Sequence, residues 1–207
     1  MPLRAKSANP KATRSVRASS EMLGGIMQTG HELFVHGLTD MLDGERQLVE
    51  ALQKLSDDSS NEQLKKAFAS HRKETERQIE RLTQCFELLG ETPEDTECKG
   101  LKGLIAEKKA FMEEEPESDI LDVFQVGAAI KAETYEICEY KSLIEMAGEM
   151  GHTKVARLLR ENLAEERAAL KKMEGFSKKL KPNEMMTAEQ EERSQAASGK
   201  STSKRAA

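Results

Sequence analysis

Apolar residues recur along this chain at alternating steps of four and three, a spacing that places them on one face of an α-helix. Leu64, Phe68 and Leu82 belong to one such stripe. Clusters of turn-forming residues separate the stripes. The pattern predicts four long helices, over residues 30–55, 61–89, 118–149 and 153–180.

The connection between the second and third long helices is longer than the other two. Pro93 excludes helix from its first part, and a weaker pattern over 101–114, ended by Pro116, predicts a short helix. The other two connections are short, so each joins antiparallel neighbours. One long crossover between two helical hairpins is typical of ferritin-like bundles. The sequence therefore predicts an all-α fold: a ferritin-like four-helix bundle with an additional short helix in the crossover.

The tails differ from the bundle in composition. Residues 1–29 and 182–207 are rich in Ser, Ala, Lys and Arg and have no sustained period. We expect both tails to be disordered and the bundle domain to occupy 30–181. The basic N-terminal tail is the one segment from which weak contact with nucleic acid is expected.

Composition narrows the function classes. Charged residues make up 33% and aromatic residues 4%, which suits a helical core of Leu, Ala and Met. The net charge of −5 gives no general attraction for nucleic acid. No apolar run reaches the roughly 20 residues of a membrane span, so no membrane association is expected. The three scattered cysteines match neither a zinc site nor a disulfide framework, which predicts a cytoplasmic protein.

Each long helix carries a carboxylate near the midpoint of its otherwise apolar face. Buried carboxylates that lie close together are neutralised by protons or by cations. In the fourth helix, Glu165 and Glu166 are adjacent, so only one can point straight inward, and we predict Glu165 there. The candidate metal ligands are Glu45 in the first helix, His71 and Glu74 in the second, Glu133 and Glu136 in the third, and Glu165 in the fourth.

Carboxylates and imidazole at helical spacing are the ligands of di-iron and di-manganese bundles. Oxygen and imidazole nitrogen donors suit Fe and Mn. The pattern therefore predicts a site for two Fe ions, or for Mn. It departs from the usual arrangement because Arg77 and Ala168 stand where Glu-x-x-His would place its histidines.

Five segments in order carry a family resemblance: LDGERQL at 42–48, AFASHRKET at 67–75, CKGLKGLI at 98–105, AETYEI at 132–137 and LLRENLAEE at 158–166. Together they resemble the YciE/YciF family of ferritin-like bacterial proteins. The resemblance implies the bundle with its crossover helix, a homodimer, an internal two-metal site formed by the six residues above, and a link to stress responses. Family members often have His where this sequence has Thr134.

Three functions stay open. The first is a ferritin-like, stress-associated protein whose di-metal site reacts with peroxide or dioxygen. The alternative is a non-catalytic, oligomeric helical-bundle stress protein that binds a partner and has no functional metal site. The third is metal sequestration, which requires a hollow multi-subunit shell. The absence of a second histidine ligand weighs against the first.

Overall fold

The computed structural model describes residues 27–197, and these residues contain no β-strand. Residues 1–26 and 198–207, the outer parts of the predicted tails 1–29 and 182–207, lie outside the described residues. A 3-10 helix, Pro182–Met185, follows the bundle. The α-helices are α1 Gly30–Asp58, α2 Glu62–Leu89, α3 Lys99–Met112, α4 Ser118–Glu149, α5 Thr153–Ser177 and α6 Ala188–Ala197.

The four long helices form two hairpins, α1 with α2 and α4 with α5, and the hairpins pack together through α2 with α5 and α1 with α4. The crossover helix α3 packs on α1 and α4. This is the predicted ferritin-like bundle with an extra crossover helix, and the predicted fold class is confirmed. Within the described residues, no helix has both the length and the apolar character needed to cross a membrane.

Local sequence explains where the first two helices begin and end. Thr29 caps α1 in a capping box, because its Oγ1 accepts a hydrogen bond from the Glu32 backbone N–H while the Glu32 carboxylate accepts one from the Thr29 backbone N–H. Gly90 ends α2 with a φ of 71°, a left-handed conformation that glycine adopts without strain.

The apolar core has two parts. One cluster contains Phe34 and Leu82, and the other contains Leu48 and Phe68. Between these clusters along the four long helices lie the buried ionisable side chains of Glu45, His71, Glu133, Glu136 and Glu166. The bundle thus encloses a polar layer at mid-length, with apolar packing on both sides.

A buried carboxylate fastens the α1–α2 connection to α4. Asp122 is 2% exposed. It accepts hydrogen bonds from the backbone N–H groups of Ser60 and Asn61, at 3.1 and 2.9 Å, and from the Ser60 hydroxyl at 2.6 Å. These bonds tie the start of α2 to the other hairpin.

We expect Asp122→Ala to lower the free energy of unfolding by about 3 kcal/mol, because it removes the buried, charged acceptor of two part-buried backbone N–H groups and of the Ser60 hydroxyl. Urea denaturation measures this change. The control is Asp119→Ala, since Asp119 is exposed and its carboxylate accepts a hydrogen bond from the neighbouring Ile120 N–H. This substitution should change stability by less than about 0.5 kcal/mol. Equal effects of the two substitutions would contradict the role assigned to Asp122.

The structure differs from the sequence prediction after residue 181, where disorder is predicted. Residues 188–197 form α6, an exposed helix with no buried side chain. A second capping box explains its start, because Thr187 and Gln190 exchange side chain–backbone hydrogen bonds of 2.9 and 3.3 Å. The polar composition of this segment obscured that signal.

Candidate metal centre

The polar layer brings together five ionisable side chains from four helices. Each is at most 5% exposed. They are Glu45 of α1, His71 of α2, Glu133 and Glu136 of α4, and Glu166 of α5.

His71 lies between carboxylates on both sides of its ring. Its Nε2 is 3.0 Å from Glu133 Oε1 and 3.7 Å from Glu166 Oε2, and its Nδ1 is 3.3 Å from Glu74 Oε2. When a carboxylate holds one ring nitrogen of a histidine, it fixes the tautomer, and the other ring nitrogen can bind a metal. Glu74 therefore orients the ring, while Nε2 faces the centre of the bundle.

The donor atoms fall into two groups that share one residue. In each group, one donor atom per residue lies within 4.8 Å of the others. The first group is His71, Glu133 and Glu166, and the second is Glu45, Glu136 and Glu166. Glu166 is the residue common to both groups, so it would serve as a ligand in each of them.

Five carboxylate oxygens in this layer accept no hydrogen bond from the described residues. A buried oxygen without a partner costs about 1–3 kcal/mol, and more when it is charged. Five such atoms in one layer need a compensating partner, which can be a proton shared between carboxyl groups, as between Glu45 and Glu136 or between Glu133 and Glu166, or a bound cation. The atoms are Glu45 Oε2, Glu133 Oε2, both oxygens of Glu136, and Glu166 Oε2.

Burial controls the protonation of this layer in the metal-free chain. It raises the pKa of Glu45 to about 7 and raises the pKa values of Glu136 and Glu166 well above the usual range of a carboxyl group. Burial lowers the pKa of His71, but the hydrogen bond and charge of Glu133 outweigh it and raise this pKa to about 10. Protons and an imidazolium therefore supply the compensating positive charge, which metal cations would replace.

Three neutral side chains hold the carboxylates in place. Tyr140 donates its hydroxyl hydrogen to Glu45 Oε1, and Gln78 donates from Nε2 to Glu166 Oε1. Asn162 Nδ2 donates to the Tyr140 hydroxyl oxygen at 2.9 Å. In the sequence, all three stand at helix-face positions that are otherwise apolar. A polar residue at such a position is the signal by which they can be found.

The predicted inward orientation of Glu165 is wrong. Its side chain is 26% exposed, and both its oxygens accept hydrogen bonds from Arg81 at 2.8 Å. Glu166, 0% exposed, points into the core instead. Steps of three and of four residues from Asn162 both fit one helix face, but the buried positions of α5 continue from Asn162 at a step of four. Arg81, which the sequence analysis does not include, pairs with Glu165 at the surface.

The other predicted residues are placed as follows. Glu45, His71, Glu133 and Glu136 lie together in the core. Glu74 lies at its edge, with a side chain 34% exposed. Thr134 is exposed, and its hydroxyl donates to the Ile130 carbonyl. A side chain at position 134 therefore points away from the polar layer.

We expect Tyr140→Phe to destabilise the protein by about 2 kcal/mol, because it removes the donor to Glu45 and the acceptor of Asn162. Thermal and urea denaturation measure this change. The control is Tyr135→Phe, since the Tyr135 hydroxyl makes only long contacts, 3.4 Å to Asp40 and 3.6 Å to Cys98. A smaller loss for Tyr140→Phe than for Tyr135→Phe would contradict this role.

Comparison with known proteins assigns the family. Residues 29–186 match the family described as Domain of unknown function (DUF892). The chain belongs to this DUF892 family. Protein YciF of Escherichia coli (strain K12) is 38% identical over 143 residues, which are 69% of this chain and 86% of YciF. The resemblance to the YciE/YciF family is therefore confirmed.

Solved structures agree with this DUF892 assignment. The E. coli stress protein YciF has a TM-score of 0.70 at 37% identity, covering 73% of this chain and 96% of that chain. YcfI from Rhodopseudomonas palustris has a TM-score of 0.71 at 38% identity, covering 73% and 97%. A two-domain Anabaena variabilis protein with DJ-1/ThiJ/PfpI-like and ferritin-like domains has a TM-score of 0.53 at 19% identity, covering 85% and 44%, and supports the fold alone.

Proposed function

We propose that this protein is a ferritin-like, stress-associated protein whose polar layer binds two Fe or Mn ions. One ion would lie among His71, Glu133 and Glu166, and the other among Glu45, Glu136 and Glu166. The observation that carries the proposal is the set of buried carboxylate oxygens, contributed by α1, α4 and α5, that accept no hydrogen bond from residues 27–197. The stress association rests on the description of E. coli YciF as a stress protein.

The donor set fits these metals. Four carboxylates and one imidazole match the preference of Fe and Mn for oxygen and nitrogen ligands. When bound, such a metal pair supplies redox chemistry toward peroxide or dioxygen. The protein residues around it would hold and orient the ligands: Glu74 bonds the outer nitrogen of His71, Gln78 holds Glu166, and Tyr140 holds Glu45.

A second candidate is a non-catalytic, oligomeric bundle that binds a partner and has no functional metal site. The observation that favours it is the single imidazole, which as an imidazolium already contacts Glu74 and Glu133. In this case protons on the remaining carboxylates would complete the neutralisation. We also propose a homodimer, as the family resemblance implies, located in the cytoplasm, as the cysteine pattern predicts. Light scattering of the purified protein tests the dimer.

Elemental analysis of protein purified without chelator, from cells supplied with iron and manganese, tests the proposal. We expect about two Fe or Mn ions per chain, the number that the two ligand groups accommodate. Peroxide and dioxygen consumption by the loaded protein is the next assay. A stable, fully helical protein that takes up no metal after iron is added back would favour the partner-binding candidate.

A further inference from the structure

A cavity of about 70 Å³ lies between α1, α3 and α4 and reaches the polar layer. Its walls are mostly aliphatic, with Leu52, Leu104 and Ala129 among the lining residues. Exposed Lys54 and half-buried Lys108, which is paired with Asp58, also line it, as do buried His71 and Glu133. The cavity therefore connects the protein surface with one of the two ligand groups of the candidate metal centre.

The size of the cavity limits what it can hold. A water molecule needs a cavity of about 10–15 Å³, and an engineered apolar cavity of about 150 Å³ binds benzene or xenon. A cavity of about 70 Å³ thus suits a molecule smaller than benzene. The crossover helix α3 forms one wall through Leu101, Leu104 and Ile105, so the extra helix of this fold creates the cavity.

The polarity of the walls selects among small molecules. Hydrogen peroxide is strongly hydrated and would lose hydrogen bonds along aliphatic walls, and each unreplaced bond costs free energy. Dioxygen has no such bonds to lose and gains dispersion contacts with the lining. His71 and Glu133 are the polar groups at the buried part of the cavity, and Glu133 Oε2 accepts no hydrogen bond from the described residues.

We infer that this cavity binds small apolar molecules and is the route by which dioxygen reaches the His71–Glu133 side of the centre. The assignment of dioxygen as the reactant rests on the proposed function, whereas the binding of apolar molecules does not. Binding can therefore be tested on the metal-free protein, with xenon as the probe.

The first experiment follows methyl and imidazole NMR signals of metal-free protein as xenon pressure rises. We expect saturable shifts of the Leu52, Leu104 and Ala129 methyl signals and of His71, and none at exposed Leu33. Ala128→Leu on α4 should abolish these shifts, because the larger side chain occupies the cavity.

Two further variants complete the test. Ala51→Leu fills the cavity from α1 and serves if Ala128→Leu folds poorly. Ala106→Leu is the matched control, since Ala106 is an exposed α3 residue outside the cavity lining, and it should keep the xenon shifts. Shifts that persist in both filled variants, or that never saturate in the unmodified protein, would overturn the inference.

The second experiment uses protein loaded with Fe(II). Ala128→Leu and Ala51→Leu should slow iron oxidation by dissolved dioxygen several-fold at unchanged iron content, whereas Ala106→Leu should not. An unchanged rate in both filled variants would overturn the route. A protein that shows the xenon shifts but binds neither iron nor manganese would overturn the proposed function and leave the cavity assignment standing.

Discussion

Glu166→Gln should abolish metal binding, lowering the content from about two ions per chain to none. Glu166 belongs to both ligand groups, so its loss removes a donor from each. Glutamine has nearly the same shape and can still accept the hydrogen bond from Gln78, so the fold should persist. Elemental analysis and circular dichroism of the same preparation measure the two effects.

The matched control is the same substitution one residue earlier. Glu165→Gln should keep full metal content, because Glu165 faces Arg81 at the surface. The metal-free Glu166→Gln protein should unfold at the same temperature or higher at neutral pH, since it loses a buried group whose ionisation is costly. Retained metal in Glu166→Gln together with lost metal in Glu165→Gln would show that the original sequence assignment of Glu165 as the ligand was correct.

The metal-free protein should lose stability as the pH rises from 5 to 8. Burial raises the pKa of Glu45 from 4.5 to about 7 in the folded protein. The native state therefore binds more protons than the unfolded state between these values, and stability falls through this window. The Glu45 contribution alone is on the order of 3 kcal/mol.

His71 acts in the same direction at higher pH. Although burial opposes it, the interaction with Glu133 raises its pKa from 6.5 to about 10. The stability it contributes is fully present below pH 6.5 and is lost as the pH rises through about 10. Glu74 has a pKa lowered by its hydrogen bond with His71, so its contribution changes below pH 4.5, outside this window.

Urea denaturation of chelator-treated protein at several pH values measures the slope. Glu45→Gln should reduce the slope between pH 5 and 7 and leave the part that Glu136 and Glu166 contribute, because burial also raises the pKa values of these two groups. Added Fe(II) or Mn(II) should stabilise the protein more at pH 8 than at pH 5, because metal binding requires deprotonated carboxylates and a neutral imidazole. Stability that rises with pH in the metal-free protein would contradict the protonation assigned to this layer.

Much of the fold could be predicted because each helix repeats its apolar spacing many times. The buried face of α2, for example, can be identified from the spacing of Leu64, Phe68 and Leu82 alone. The helix α6 was missed because its evidence is a single pair, Thr187 and Gln190, in a polar segment.

The site was harder to predict because it depends on single positions. A step of three or of four from Asn162 fits the same helix face, so period alone does not separate Glu165 from Glu166. The decision comes from Arg81 on another helix, which becomes a neighbour only after folding. The cavity beside His71 could not be predicted either, because it depends on how α3 crosses the bundle.

The candidate ligands come from four helices, which has a consequence for the dynamics of the chain. If metal ions bind the polar layer, detaching any one of α1, α2, α4 or α5 would forfeit part of the binding free energy. Occupancy would thus suppress partial unfolding of these helices and make them separate from one another only in a concerted transition. The crossover helix α3 supplies no ligand. Its free energy of local unfolding would therefore stay lower than that of the four long helices. The wall of the cavity could then fluctuate while the rest of the bundle stays folded.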